Sequence, residues 1–265
     1  MQDQADGIVS LEMSGGIARL TLDQPRRLNA MTLAMWRSIP GLVDRAVQAA
    51  DVRVLLLRGA GERAFSAGAD ISEFATVRAD AAQAAAYEEA VSAATDALVQ
   101  APVPTVAAVR GVCYGGGLEL ALCCDLRLGD DTARFRMPGA RLGLGYAFPL
   151  VQLIVQRVGA TAAADLLFSA RVLSAAEAAN LGILQRVEPA ASFDGAVEAY
   201  LGGIAANAPL TLRAAKRAML EAVRTDGPPD VAGVDALVAR CFASQDYAEG
   251  RAAFAQKREP DFRGE

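Results

Sequence analysis

The chain has 265 residues, enough for one large domain or a domain with a small appendage, and 53% of them are hydrophobic. It contains no histidine, which removes Ser-His-Asp and Cys-His machinery, histidine metal sites and the commonest general base. A formal net charge of −5 argues against wholesale nucleic-acid binding, and the four cysteines (Cys113, Cys123, Cys124, Cys241) lack metal-ligand spacing and read as free thiols, so a reducing compartment, the cytoplasm, is expected.

No apolar run reaches the roughly 18 residues that span a bilayer, and the start MQDQADGIVS lacks the features of a signal peptide, so no membrane association is expected. The chain then opens as a hairpin. Ile8–Glu12 and Ile17–Leu22 are the strands, and Ser14-Gly15-Gly16 is the turn. Asp23–Ala30 is a loop by its proline and polar content. Thr32 is the expected N-cap of a helix with Met35, Trp36, Ile39, Leu42, Val43 and Val47 on one face, and Pro40 predicts a kink or break within it. Val52–Leu57 is too continuously apolar to be half exposed and reads as a buried strand. An alanine-rich helix, about 79–100, ends at Ala101-Pro102-Val103-Pro104, and Thr105–Val109 is another buried strand. Strand and helix alternating at this spacing imply βαβ units and a mostly parallel sheet. From about Pro149 the chain reads as helical, with segments at 151–158, 162–168, 175–181, 193–207 and 210–223, and Gly227-Pro228-Pro229 precedes two last helices.

Two junctions between strand and helix are alike in being built from small residues. One is Phe65-Ser66-Ala67-Gly68-Ala69-Asp70-Ile71, and the other is Gly111-Val112-Cys113-Tyr114-Gly115-Gly116-Gly117-Leu118-Glu119. Glycine lets backbone approach a ligand closely, and free N–H groups at a helix start attract negative charge. If the loops face each other, one N–H from each can converge on a single oxygen; otherwise both are tight connections and nothing more. Neither loop has the G-x-G-x-x-G or G-K-[ST] pattern of a nucleotide site. Glu119, followed by the apolar run Leu120–Cys124, reads as a partly buried carboxylate with a raised pKa, suited to acid/base work. The alternative is an ion pair with an arginine such as Arg127 or Arg141.

Together, AFSAGADISEF (64–74) and GVCYGGGLELALCCDLRLG (111–129) resemble the crotonase, or enoyl-CoA hydratase/isomerase, superfamily. QPRRLNAM (24–31), FRMPGARLGLGY (135–146), SAAEAANLGILQRV (174–187) and the closing DYAEGRAAFAQKREPDF (246–262) are similar to its other segments, so the resemblance spans nearly the whole chain. It implies an α/β crotonase-like fold of repeated ββα units in residues 1–195 and a helical oligomerisation region in 196–265. It also implies an acyl-CoA-processing enzyme that holds a thioester carbonyl between the N–H groups of Ala69 and Gly116, with Glu119 as acid/base. The coenzyme A thioester is then the substrate, with no further cofactor and no metal. Arg26, Arg27, Ala30, Ala67, Asp70, Ile71, Gly115, Pro138, Gly139, Phe254 and Lys257 fall on positions that bind the thioester, and a homotrimer or homohexamer is implied.

The resemblance has one departure. The family's hydratases carry a second glutamate after the proline of the F-x-x-P segment, and here that position is Gly139. Isomerisation through a single base therefore stands beside hydration. So do decarboxylation or thioester hydrolysis with Tyr146 in the site, and a non-catalytic CoA-binding or assembly protein. Tyr146 is alternatively a pocket-wall tyrosine, and Arg141 either recognises an acyl carboxylate or pairs with a neighbouring acid. The acyl group depends on which side chains of the 79–100 helix and the 139–150 segment line the pocket.

Overall fold

The computed structural model describes residues 7–265, so the first six residues of the expected core region lie outside the described part. Strands β1 (Ile8–Ser14) and β2 (Ile17–Asp23) come first, then helix α1 (Leu33–Gln48) and strands β3 (Val54–Gly59) and β4 (Ala64–Ser66). The short α2 (Phe74–Val77) leads into α3 (Ala81–Gln100), β5 (Thr105–Val109), β6 (Val112–Tyr114) and α4 (Gly116–Cys123). Strands β7 (Leu126–Asp130) and β8 (Arg134–Arg136) precede the one-turn α5 (Gly139–Leu142) and the long α6 (Phe148–Ala164). After β9 (Leu173–Ser174), α7 (Ala175–Asn180) and β10 (Arg186–Glu188), four helices finish the chain: α8 (Phe193–Ala205), α9 (Pro209–Ala222), α10 (Val231–Phe242) and α11 (Gln245–Gln256).

Gly15 and Gly16 close the hairpin at φ 59° and 77°, the mirror-image turn whose twist suits antiparallel strands. Six strands form one sheet in the order β1-β2-β3-β5-β7-β10, parallel from β2 onward. A second sheet has the order β4-β6-β8-β9, with β4, β6 and β8 parallel. In β3, Leu55 and Leu57 face a core shared with Trp36, Ile39 and Val43 of α1, Leu98 of α3 and Leu122 of α4. Val54 and Leu56 point the other way, onto Phe193, Val197 and Leu201 of α8. Burial on both faces explains the unbroken apolar run. It also shows that α8 packs on the sheet, so the expected boundary near residue 195 falls inside a helix belonging to the core.

Thr32 caps α1 as expected, its hydroxyl accepting from the Met35 N–H at 3.2 Å. No break occurs at Pro40: α1 runs through it. The lost hydrogen bond and the ring clash cost about 3 kcal/mol in a helix interior. Buried Met35, Trp36, Ile39, Val43 and Ala46, on both sides of the proline, hold the two halves against one surface and offset that cost. Strands β9 and β10, within the stretch expected to be helical, have two and three residues and are too short to show a period.

The stretch Phe148–Ser169 is long and apolar enough to cross a membrane by length and composition. Gly159, at φ 79° and ψ 162°, interrupts it, so neither helical part has the ~20 residues a span requires. Helix α9 is tied to the core by an ion pair: the buried Lys216 donates to the half-buried Asp125 at 2.8 Å and to the Val103 carbonyl at 3.1 Å. Replacing Lys216 with Met leaves Asp125 only its hydrogen bonds from Thr105 and should lower unfolding free energy by about 1.5–3 kcal/mol, measured by urea denaturation.

Candidate active site

The parallel strands β4, β6 and β8 end side by side, and the loop after each contributes to one site. The first loop is fastened to the segment before α1. Ala67 N–H donates to the Leu28 carbonyl at 2.9 Å, Met31 N–H to Gly68 at 2.7 Å, and Asp70 N–H to Met31 at 2.9 Å. The Gly68 N–H donates to Ser66 Oγ at 3.1 Å. Ala69 N–H is left without a partner among the described residues. In the second loop Gly115, at φ 50°, donates to the Arg136 carbonyl at 2.9 Å, and the N–H of Gly116, first residue of α4, is also unpartnered among the described residues.

The loops touch because they carry glycine. A Cβ on Gly68, where φ is 96°, would lie 2.8 Å from the Tyr114 carbonyl oxygen and 3.3 Å from the Gly116 nitrogen. A Cβ on Gly116 would lie 3.8 Å from the Ala69 nitrogen. Two unpartnered N–H groups on adjoining loops thus stand at one place. Trp36 backs them, its ring 3.0 Å from that Gly116 Cβ position, and its Nε1–H donates to Tyr87 Oη at 3.0 Å.

Glu119 lies in the first turn of α4, half-buried. Burial pushes its carboxyl up to about 7, and the negative charge of Glu88 adds to the effect. The ion pair with Arg127 or Arg141 does not form. Arg127 instead donates to the Ile183 and Cys124 carbonyls, and neither Arg141 nor Glu119 has an ion-pair partner among the described residues. A carboxyl that changes charge near neutrality can both take and return a proton.

The third loop brings Pro138 and Gly139 beside the second: a Cβ on Gly115 would lie 3.8 Å from Pro138 Cδ. Tyr146 folds back onto this loop, its hydroxyl accepting from the Gly139 N–H at 2.6 Å.

Asp70 braces the first loop. It accepts from Arg27 Nη1 at 2.8 Å, Ser72 Oγ at 2.6 Å, Ser72 N–H at 3.1 Å and Gln24 Nε2 at 3.1 Å. Its burial acts to raise the pKa, but the hydrogen bonds from Ser72 and Arg27 outweigh it and hold the carboxyl below its ordinary value. Arg27 is therefore engaged within the loop. Arg26 is exposed and has no ion-pair partner among the described residues, Ile71 is 67% exposed at the rim, and Ala30 is buried beside the loop with its carbonyl bound by Gln24. Phe254 and Lys257 stand apart at the end of α11. Phe254 lines an apolar cavity of ≈ 700 Å³ between α9, α10 and α11, not the loops. Cys113, Cys123 and Cys124 are buried, burial pushes their thiols up, and Cys241 is half-buried. The roles of Trp36, Met31 and Ser66 in shaping the site carry no local sequence signal.

A sequence model described as enoyl-CoA hydratase/isomerase matches residues 12–265. The chain belongs to this family. Its membership of the crotonase superfamily rests equally on relatives. It is similar to a crotonyl-CoA hydratase of Syntrophomonas wolfei, 31% identical over 255 residues that cover 96% of this chain and 97% of the relative. A short-chain-enoyl-CoA hydratase of Clostridium acetobutylicum is 29% identical over 94% of this chain and 95% of its own. Among solved structures, an enoyl-CoA hydratase/carnithine racemase from Magnetospirillum magneticum superposes with a TM-score of 0.92 at 39% identity, over 97% of this chain and 96% of that one. The parallel sheets and the C-terminal helices of this superfamily member match the fold of that structure.

Proposed function

We propose that this member of the enoyl-CoA hydratase/isomerase family processes an acyl-CoA thioester through an enolate, with Glu119 as its acid/base. The observation that carries this reading is the meeting of two unpartnered N–H groups, on Ala69 and Gly116, near the start of the helix that holds a carboxyl poised near 7. A thioester oxygen placed between those donors gains negative charge as the α-proton leaves, and preorganised N–H groups stabilise that charge without reorganising. Glu119 removes the proton in its ionised form and delivers it in its protonated form. Ala67 and Ile71 form the adjoining rim for the thioester, with the buried Asp70 bracing it, and the exposed Arg26 offers positive charge to its phosphates. No step calls for a metal or a redox cofactor.

With glycine at 139, Glu119 is the one carboxylate on the two positions the hydratases use. This favours a proton shuttle, which moves a double bond, over the addition of water. The test presents crotonyl-CoA and a 3-enoyl-CoA to the enzyme and follows the conjugated enoyl-thioester absorbance. Faster appearance from the 3-enoyl substrate than disappearance from crotonyl-CoA is expected. Faster disappearance would reverse the preference, and failure to bind either thioester would remove the reading altogether.

A homotrimer or homohexamer is part of the proposal. Phe148, Phe168 and Phe254 are 74%, 82% and 87% exposed, and α10 buries no side chain in the single chain. Apolar surface of this kind needs a partner, and a second copy supplies it. Sedimentation analysis should return three or six chains; a monomer would refute it.

A further inference from the structure

Gly139 is buried, and the space in front of it is already taken. A Cβ there would lie 2.5 Å from Tyr146 Cζ, 2.6 Å from its hydroxyl oxygen and 2.9 Å from Cε1. The obstacle is a ring, not the loose end of a flexible chain. The ring packs against the main core and is held by the hydrogen bond from the Gly139 N–H. Because the Tyr146 oxygen is the acceptor in that bond, its own proton remains free to donate elsewhere.

We infer that Gly139 and Tyr146 form a coupled pair that sets the site's reaction: the tyrosine fills the space that a side chain at 139 would enter and presents a hydroxyl in place of a second carboxylate. The inference rests on the proposed enolate chemistry. Adding water breaks an O–H bond and the C2=C3 π bond and makes a C–O bond at C3 and a C–H bond at C2. That requires a water held by acceptors, and the Tyr146 hydroxyl, whose oxygen already accepts from Gly139, offers fewer acceptor sites than a carboxylate would. Moving a double bond requires no water. Glu119 takes the C2 proton, the C–H electron pair passes through the thioester enolate, and the same proton returns at C4, so no atom enters or leaves. Tyr146 is thus a specificity-determining residue, and position 139 cannot change usefully unless 146 changes with it.

The test compares wild type, Gly139→Glu, Tyr146→Ala and the double variant for loss of crotonyl-CoA. Acetoacetyl-CoA binding is measured by calorimetry for each. Gly139→Glu alone should gain no hydration, and the double variant should gain at least about tenfold over wild type and both single variants, a coupling expected of residues in contact or sharing one cavity and not of distant, independent ones. Gain by Gly139→Glu alone, or no gain by a double variant that binds acetoacetyl-CoA, would overturn the inference. Gly139→Ala guards against misfolding: its thermal unfolding midpoint should drop in the wild-type background and recover when Tyr146 is Ala. Equal drops in both backgrounds would also overturn the pairing. Failure of the enolate reading shows separately, as wild-type enzyme that does not bind acetoacetyl-CoA.

Discussion

Glu119→Gln should lower turnover by about 10²–10⁴-fold, the usual share of a positioned acid/base. Its thioester affinity should change little, because the two backbone donors remain. The same variant should be more stable than wild type above neutral pH. The folded carboxyl titrates at about 7, against an ordinary 4.5, so the folded state holds its proton more tightly than the unfolded chain. Below pH 4.5 both states are protonated and the group costs nothing. Between 4.5 and 7 the unfolded chain ionises first, and stability falls as pH rises. Beyond 7 the loss levels off at about 3 kcal/mol. A neutral amide removes that loss. Urea unfolding at pH 5 and pH 8 should therefore show wild type and variant far closer at pH 5, with the variant ahead at pH 8. In parallel, wild-type kcat/KM for proton abstraction should rise through about pH 7. A variant that kept its turnover would remove Glu119 from the chemistry, and equal stabilities at pH 8 would mean that the carboxyl is solvated.

Gly68→Ala is expected to cost about 10²–10³-fold in kcat, the effect of displacing one oxyanion donor. The new methyl would sit 2.8 Å from the Tyr114 carbonyl and 3.3 Å from the Gly116 nitrogen, so the loops must part. Their separation moves Ala69 away from Gly116. Part of any effect comes from the backbone, since Gly68 sits at φ 96°. Gly61→Ala separates the two causes: Gly61 is also at positive φ, 74°, but a Cβ there meets nothing within 4 Å. It should lose about 1 kcal/mol of stability and no more than a small part of its activity. If the two variants lose activity equally, backbone strain and not loop contact is responsible, and the paired-donor geometry fails.

Much of this site was legible in the chain itself, because the features concerned are local. Alternation and a Gly-Gly turn define the hairpin. A continuous apolar run marks β3 as buried on both faces. Glycines after β4 and β6 identify loops whose backbone approaches a neighbour, and the resemblance to the family marks Gly139 as the place of an absent carboxylate. Turn chemistry and periodicity act over a few residues, so a linear reading reaches them. The absence of a break at Pro40 was not legible for the same reason: its local cost is real, but buried side chains on either side of it prevail.

The three-dimensional packing decided the rest. Whether Glu119 pairs with an arginine depends on where Arg127 and Arg141 lie, and folding takes Arg127 to backbone carbonyls instead. Arg27 is committed to Asp70 across 43 positions of sequence, and Trp36 reaches the second glycine loop from a helix far earlier in the chain. Tyr146 in the space before Gly139 is the sharpest case. Composition shows a glycine and a tyrosine seven residues apart, and only the turn through Gly143, at φ 68°, brings ring onto backbone. Local residues thus determined which groups are available for chemistry. Chain reversals and burial, which act between distant segments, determined which of them stand together.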